Sequence, residues 1–123
     1  MNEKVLIIDD DPQICLLLED FLREKSYSVF SAHCALKGLE LLKSEQPHAI
    51  LLDVRLPDLN GIKAIKTIRE ISSSVGIIMI SGLQDENVAA QAIALGASDY
   101  IVKPFDLDYL EKSLLVKIAS LPE

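Results

Sequence analysis

Residues 49 to 53 read Ala-Ile-Leu-Leu-Asp, a short apolar run that ends in a carboxylate. An apolar run of this length is typical of a strand that is buried on both faces of a parallel sheet. Two other runs have the same form: residues 5–8 lead into three consecutive aspartates, and residues 100–102 lead into Lys103-Pro104. Each of these charged side chains would be held by a rigid strand rather than by a loose loop.

The whole chain alternates between strand patterns and helix patterns. We predict strands at residues 5–8, 27–32, 49–52, 77–80 and 100–102, with the more polar second strand at an edge of the sheet. Capping residues mark the helices between them: Asp11-Pro12, Asp85 and Asp106 at the starts, and Gly96 at one end. This alternation predicts an α/β, doubly wound, five-stranded parallel sheet flanked by five helices, with right-handed crossovers.

Apolar residues at helical spacing predict which side of each helix faces the core. The predicted inward residues include Leu17 and Leu18 in the first helix, Val88, Ala92 and Leu95 in the fourth, and Leu121 in the last. The alanines of the fourth helix, Ala89, Ala90, Ala92 and Ala94, are interpreted as packing residues.

The composition excludes several classes of protein. A chain of 123 residues is the size of one domain, and a net charge of −7 argues against direct binding of nucleic acid. Cys15 and Cys34 lack metal-ligand or redox spacing and suit a reducing compartment. No run is long enough for a membrane span, and the N-terminus has no signal-peptide pattern, so we expect a cytoplasmic protein that does not enter membranes.

The charged residues at the strand ends predict a metal-assisted phosphoryl site. Ligands of such sheets bind beyond the carboxyl ends of the strands. Clustered carboxylates there would repel one another, and Mg²⁺ relieves that repulsion because it prefers oxygen ligands and pairs with phosphate. We predict Asp10 and Asp53 as direct ligands, Asp9 as a ligand through water, and a main-chain carbonyl near Arg55 as a further ligand.

The same edge carries groups that suit a phosphoryl group on Asp53. Asp53 would attack phosphorus as a nucleophile. Lys103 would bind one phosphoryl oxygen as a point charge, and Ser81 would bind another, with Gly82 leaving room. Pro104 raises the prospect of a cis Lys103-Pro104 bond.

At these residues the chain resembles the receiver domains of two-component response regulators, which are flavodoxin-like with strand order 2-1-3-4-5. The resemblance extends over essentially all of residues 1–123 as a single receiver domain. The matching segments are Ile7-Ile8-Asp9-Asp10, Leu52-Asp53 through Leu56-Pro57 to Gly61, Ile80-Ser81-Gly82, and Tyr100 through Lys103-Pro104-Phe105.

The resemblance implies a phosphoacceptor rather than a turnover enzyme. It implies that Asp53 takes phosphate from a sensor histidine kinase or a phosphotransfer protein in a Mg²⁺-dependent reaction, followed by slow autodephosphorylation. It implies that Ser81 and Tyr100 move together on phosphorylation and alter the face made by helix four, strand five and helix five. That face would signal to an output domain or partner protein. A homodimer of the phosphorylated domain is a further expected assembly. The kinase would dock on helix one near Ile14 and Leu18.

Other readings of the residues stay open at this point. The domain either acts alone or is the N-terminal part of a longer regulator. Tyr100 is equally consistent with a structural aromatic residue. A phosphatase with an aspartate nucleophile would use similar groups, but its nucleophile follows the first strand in an Asp-x-Asp pattern that Asp9 to Pro12 fit poorly. A mononucleotide carrier would need amides, not three acids, after that strand.

Overall fold

Five parallel strands form the centre of the computed structural model, which describes residues 3–82 and 85–119. The strands are β1 (Lys4–Ile8), β2 (Ser28–Ala32), β3 (Ala49–Asp53), β4 (Gly76–Ser81) and β5 (Asp99–Val102). Their order in the sheet is β2-β1-β3-β4-β5, so the predicted fold is confirmed, with β2 at one edge. Three strands, β1, β3 and β5, extend one residue beyond the predicted range, and β4 extends one residue at each end. The second strand, β2, begins one residue later than predicted. The added residue of β3 is Asp53 itself.

Helices cover both faces of this sheet. They are α1 (Pro12–Glu24), α2 (Ala35–Glu45), α3 (Gly61–Ile71), α4 (Glu86–Leu95) and α5 (Leu107–Ala119). Helices α1 and α5 pack on one face, and α2, α3 and α4 pack on the other.

Alternate residues of each central strand contribute to two separate cores. In β1, Leu6 and Ile8 pack with the α2–α3–α4 layer, while Val5 and Ile7 pack with α1 and α5. All four are essentially inaccessible to solvent. Burial of each such side chain contributes about 1.5–3 kcal/mol to the free energy of folding. The strands are therefore held firmly in place, and so are the residues at their ends.

Most helices begin at a side-chain cap from their own sequence. Asp11 accepts from the N–H of Gln13, Asn60 from that of Ile62, and Asp85 from those of Asn87 and Val88. Asp106 accepts from the N–H of Asp108 at the start of α5. The expected caps are therefore present, and Gly96, with a φ of 116°, ends α4 as predicted. Helix α2 differs, because Cys34 at its N-cap makes no side-chain capping bond.

Gly61 lets α3 start directly against the end of β3. Its N–H donates to the carbonyl of Val54 at 2.7 Å. A Cβ at this position would overlap the main-chain oxygen of Asp53. The turn that follows Asp53 is thus closed by a residue without a side chain.

Several residues predicted to face the core do not. Leu17 is 48% exposed and Leu95 is 43% exposed, so both predictions are wrong. Each lies beside its buried stripe, where periodicity alone does not separate core from surface. Among the α4 alanines, Ala92 is buried whereas Ala90 and Ala94 are exposed and Ala89 is partly exposed, so packing accounts for Ala92 alone. Leu121 lies outside the described residues.

The two cysteines have different environments. Cys15 is buried, and its Sγ donates to the carbonyl of Asp9 at 3.4 Å. Burial, reinforced by the charge of Asp9, raises the pKa of this thiol to about 11. Cys34 is partly exposed, and both thiols are free. Among the described residues, the helices are all too short or too polar to cross a membrane.

Candidate functional site

The carboxyl ends of four strands bring the predicted polar residues to one edge of the sheet. Asp9 follows β1, Asp53 ends β3, Ser81 ends β4, and Lys103 follows β5. The register places Asp53 opposite Ile80, one residue before Ser81, and Ser81 opposite Val102, one residue before Lys103. These residues are far apart in sequence and adjacent in space because the strands are parallel.

Three carboxylates form the centre of this edge. Oxygens of Asp9, Asp10 and Asp53 all lie within 4.8 Å of one another. Asp9 and Asp53 are buried, with 3% and 6% of their surfaces exposed, whereas Asp10 is exposed. Carboxylate oxygens so arranged are the ligands that hard divalent cations such as Mg²⁺ take in proteins. The donor set therefore fits a metal of that type.

Lys103 reaches across the sheet edge to two of these acids. Its Nζ donates to Asp9 Oδ2 at 2.9 Å and to Asp53 Oδ2 at 3.5 Å. The other oxygen of Asp9 accepts from the N–H of Asp11 at 2.9 Å. Both oxygens of Asp9 are thus engaged within the protein, while Asp53 Oδ1 accepts a longer bond of 3.3 Å from the N–H of Arg55.

The electrostatic state of the site reflects this crowding. Burial raises the pKa of Asp53 above its usual 3.8, and the negative charge of Asp9 raises it further, against the opposing effects of Lys103 and the Arg55 N–H. Burial alone would lower the pKa of Lys103, but its bond to Asp9 and the charges of both acids outweigh burial and raise it. The acids therefore favour the charged form of Lys103, whereas burial and the charge of Asp9 disfavour the charged form of Asp53.

A cavity of about 330 Å³ opens beside these groups. It is lined by Asp10, Asp53, Arg55, Gly82 and Lys103. Asp53 can thus be reached from solvent although its side chain is largely buried. The Lys103-Pro104 peptide bond is cis, which is the less common of the two isomers open to it in sequence.

The two residues predicted to respond to phosphorylation lie on β4 and β5. Ser81 is buried, and its carbonyl accepts from the N–H of Lys103 at 2.7 Å. Tyr100 is partly buried against the α2–α3–α4 core and lines a second cavity with Asp85, Glu86, Ala89 and Val102.

Two features of the site region were not anticipated. An apolar groove of about 410 Å³ lies beside Lys103, with Leu17 rather than Leu18 in its lining; the full lining is Ile14, Leu17, Lys103, Pro104, Phe105 and Leu107. Leu18 is buried in the core. Asp58, predicted only as a turn residue, accepts hydrogen bonds from the start of α2. The exposed position of Leu17 next to a buried stripe is not visible in sequence.

Known proteins share this fold and sequence pattern. Residues 5–115 match the family model of the response regulator receiver domain. The chain is 31% identical to sporulation initiation phosphotransferase F of Bacillus subtilis, over 93% of this chain and 92% of that protein. It is 38% identical to the transcriptional regulatory protein CrdR of Helicobacter pylori, over 90% of this chain but 53% of that protein.

A crystal structure of a CheY-like receiver domain protein from Methanospirillum hungatei superposes with a TM-score of 0.93 at 26% identity, over 97% of this chain and 95% of that one. The chain belongs to the response regulator receiver domain family of two-component systems. It spans about half the length of CrdR and nearly all of the sporulation phosphotransferase.

Proposed function

We propose that Asp53 is the phosphoacceptor of a two-component phosphorelay and that the domain is a switch set by its phosphorylation. The observation that carries this proposal is the cluster of Asp9, Asp10 and Asp53 with Lys103 bonded to two of the three acids. A cluster of this kind, at the carboxyl edge of a parallel sheet, unites an oxygen nucleophile with groups that neutralise phosphate charge.

The hydrogen bonds at the site support direct binding of Mg²⁺ by Asp10 and Asp53 and binding through water by Asp9. Asp10 is exposed and Asp53 Oδ1 is weakly bonded, so both can offer an oxygen to Mg²⁺. Asp9 already accepts from Lys103 and Asp11, which favours contact through water. The main-chain carbonyl of Arg55 would supply a further oxygen. When bound, Mg²⁺ would neutralise charge on Asp53 and on the incoming phosphoryl group.

Asp53 would act as the nucleophile in phosphoryl transfer. A carboxylate oxygen of Asp53 attacks phosphorus of the donor's phosphohistidine, and the phosphorus–nitrogen bond breaks. The electron pair returns to the imidazole, which takes a proton. Lys103 would bind a phosphoryl oxygen, and Ser81 would turn its hydroxyl to another.

The switch proposal extends from Ser81 to Tyr100. Ser81 ends β4 directly opposite Val102, and Tyr100 lies on the same strand as Val102. Movement of Ser81 towards a phosphoryl group would change the space beside α4 that Tyr100 lines with Ala89. The altered face of α4, β5 and α5 would then engage an output domain, a partner protein or a second copy.

Chemical mapping of the modified residue tests this proposal. Acetyl phosphate with Mg²⁺ should add one phosphoryl group, visible in the intact mass, and chelation of the metal should prevent it. Borohydride reduction converts an aspartyl phosphate to homoserine, so peptide sequencing should find homoserine at residue 53. Homoserine at Asp9 or Asp10 instead, or uptake that is independent of metal, would overturn the assignment.

The apolar groove beside Lys103 supports docking of the phosphodonor on α1. Leu17 lines this groove and is half exposed, while Leu18 is buried and unavailable to a partner. A donor helix laid against Leu17 and Phe105 would bring its phosphohistidine close to Asp53. The proposed contact therefore uses Leu17 and Ile14 rather than Leu18.

Replacing Leu17 with serine should slow phosphotransfer from the cognate histidine kinase about tenfold, the effect of losing roughly 1.4 kcal/mol of contact energy. Phosphorylation by acetyl phosphate should be unchanged, because this small donor makes no contact with α1. Leu16→Ser is the matched control, since Leu16 is 61% exposed but does not line the groove. Equal transfer rates for the two variants would exclude this docking face.

A further inference from the structure

The N-terminus of α2 is capped by a residue from a distant part of the chain. Cys34 occupies the N-cap position in an extended conformation, but its side chain makes no capping hydrogen bond. Instead, the N–H of Ala35 donates to Asp58 Oδ1 at 2.8 Å, and that of Leu36 donates to Asp58 Oδ2 at 2.9 Å. Both oxygens of one carboxylate therefore bind two of the N–H groups that a helix leaves free at its start.

These bonds stabilise the charged form of Asp58. They lower its pKa below the usual 3.8, the bond from Leu36 having the largest effect and that from Ala35 the next. The positive end of the helix dipole favours the same anion. Because the folded pKa is lowered, the contribution of Asp58 is fully present above the ordinary carboxyl pKa and is lost only as the pH falls through the folded value.

Asp58 belongs to the loop of residues 54–60, which begins directly after Asp53. The ends of this loop are fixed locally: Arg55 N–H donates to Asp53 Oδ1, and Gly61 N–H donates to the carbonyl of Val54. Within the described part of the chain, the two bonds of Asp58 are the hydrogen bonds that tie the middle of the loop to another element.

Helix α2, to which Asp58 is bonded, is itself packed firmly against the sheet. Ala35, Gly38 and Leu42 are buried along its inner side. Gly38 lies so close to β1 that a Cβ there would overlap the side chain of Ile8. Asp9 directly follows β1. The loop after Asp53 is therefore connected to the strand that leads into the acidic pair, because Asp58 binds α2 and α2 packs against β1.

We propose that Asp58 is a positioning residue for the metal site. By capping α2 from across the chain, it holds the loop of residues 54–60, and with it the main-chain carbonyl of Arg55, in the arrangement that receives Mg²⁺ beside Asp53. This inference rests on the proposed metal site. It assigns Asp58 no contact with the metal or with phosphate.

The binding of Mg²⁺ alone, measured by titration calorimetry, tests the proposal without any phosphoryl transfer. Asp58→Ala should weaken Mg²⁺ binding about fivefold, less than the roughly 10- to 100-fold loss seen when a direct partner of a metal ligand is removed. Asp58→Asn keeps a single acceptor oxygen, so its affinity for Mg²⁺ should lie between those of the wild type and Asp58→Ala. Asp20→Ala removes the same charge from an exposed position on α1 and should bind Mg²⁺ like the wild type.

A second substitution separates loop positioning from simple helix capping. Adding Cys34→Asp to Asp58→Ala gives α2 a local cap in a suitable extended conformation and restores the net charge. The double variant should regain the urea midpoint of the wild type but retain the fivefold weaker Mg²⁺ binding. Recovery of Mg²⁺ binding in the double variant, or wild-type binding by Asp58→Ala, would overturn the positioning role. Failure of the wild type itself to bind Mg²⁺ would instead contradict the proposed metal site.

Discussion

Replacing Asp53 with asparagine is expected to abolish phosphoryl uptake and, at the same time, to make the folded domain more stable. The first effect follows because an amide oxygen is a poor nucleophile and forms no stable phosphoryl adduct. The second follows because burial and the charge of Asp9 hold the pKa of Asp53 above 3.8. Between its unfolded and folded pKa values, Asp53 binds more protons in the folded state than in the unfolded one.

The sign of the pH dependence follows from that difference. Stability of the wild type falls as the pH rises through this window, and the loss persists at neutral pH. Asp53→Asn should therefore have a higher urea midpoint than the wild type at neutral pH, and this advantage should disappear below the unfolded pKa, where Asp53 is protonated in both states. Asp20→Asn, an exposed control on α1, should show neither effect. A lower midpoint for Asp53→Asn at neutral pH would show that the carboxylate is stabilised, not strained, by its neighbours.

Replacing Lys103 with methionine should lower the stability of the folded domain and should slow phosphorylation without abolishing it. Methionine keeps an unbranched side chain, one atom shorter than that of lysine, but leaves Asp9 and Asp53 facing each other without a cation. Breaking a fully buried ion pair costs about 3–5 kcal/mol, and with the Lys103 side chain 23% exposed we expect about 2 kcal/mol. Phosphorylation by acetyl phosphate should slow about 100-fold, as for removal of one donor to a developing oxyanion.

The effect of Mg²⁺ on stability distinguishes the loss of the Lys103 charge from general damage to the fold. Added Mg²⁺ should increase the stability of Lys103→Met more than that of the wild type, because in the variant the metal alone neutralises Asp53. The lysine contribution itself is present at neutral pH and is lost only as the pH rises through the raised folded pKa of Lys103. Lys66→Met, at an exposed position on α3, is the matched control. Equal responses of the two variants to Mg²⁺ would contradict the coupling between Lys103 and the metal site.

The geometry of the acidic cluster could be predicted from sequence because parallel strands impose it. Asp9, Asp53 and Lys103 each follow or end an apolar run, and the carboxyl ends of parallel strands meet at one edge. The identity of the acids and of the lysine then determined which chemistry the edge could support. No knowledge of individual contacts was needed for that step.

The predictions that were wrong or missing concern how the helices contact their surroundings. Leu17 and Leu18 are adjacent, and helical spacing placed both on one stripe, yet one is half exposed and the other is buried. The difference depends on where α5 and the loop with Phe105 pack, which a periodic pattern does not encode. The cap of α2 could not be predicted for a related reason: its donors at residues 35 and 36 meet an acceptor that lies 23 and 22 positions away, respectively.

The unequal environments of the two cysteines give the domain a natural attachment point for a chemical label. A thiol reacts with maleimides as the thiolate, and the raised pKa of Cys15, together with its burial, leaves it almost inert near neutral pH. Cys34 is partly exposed and adjoins the first residue of α2. A dye coupled there would sit one residue from the N–H groups that Asp58 holds, so an unaltered wild-type sequence already carries a reporter position for the loop beside the phosphoacceptor.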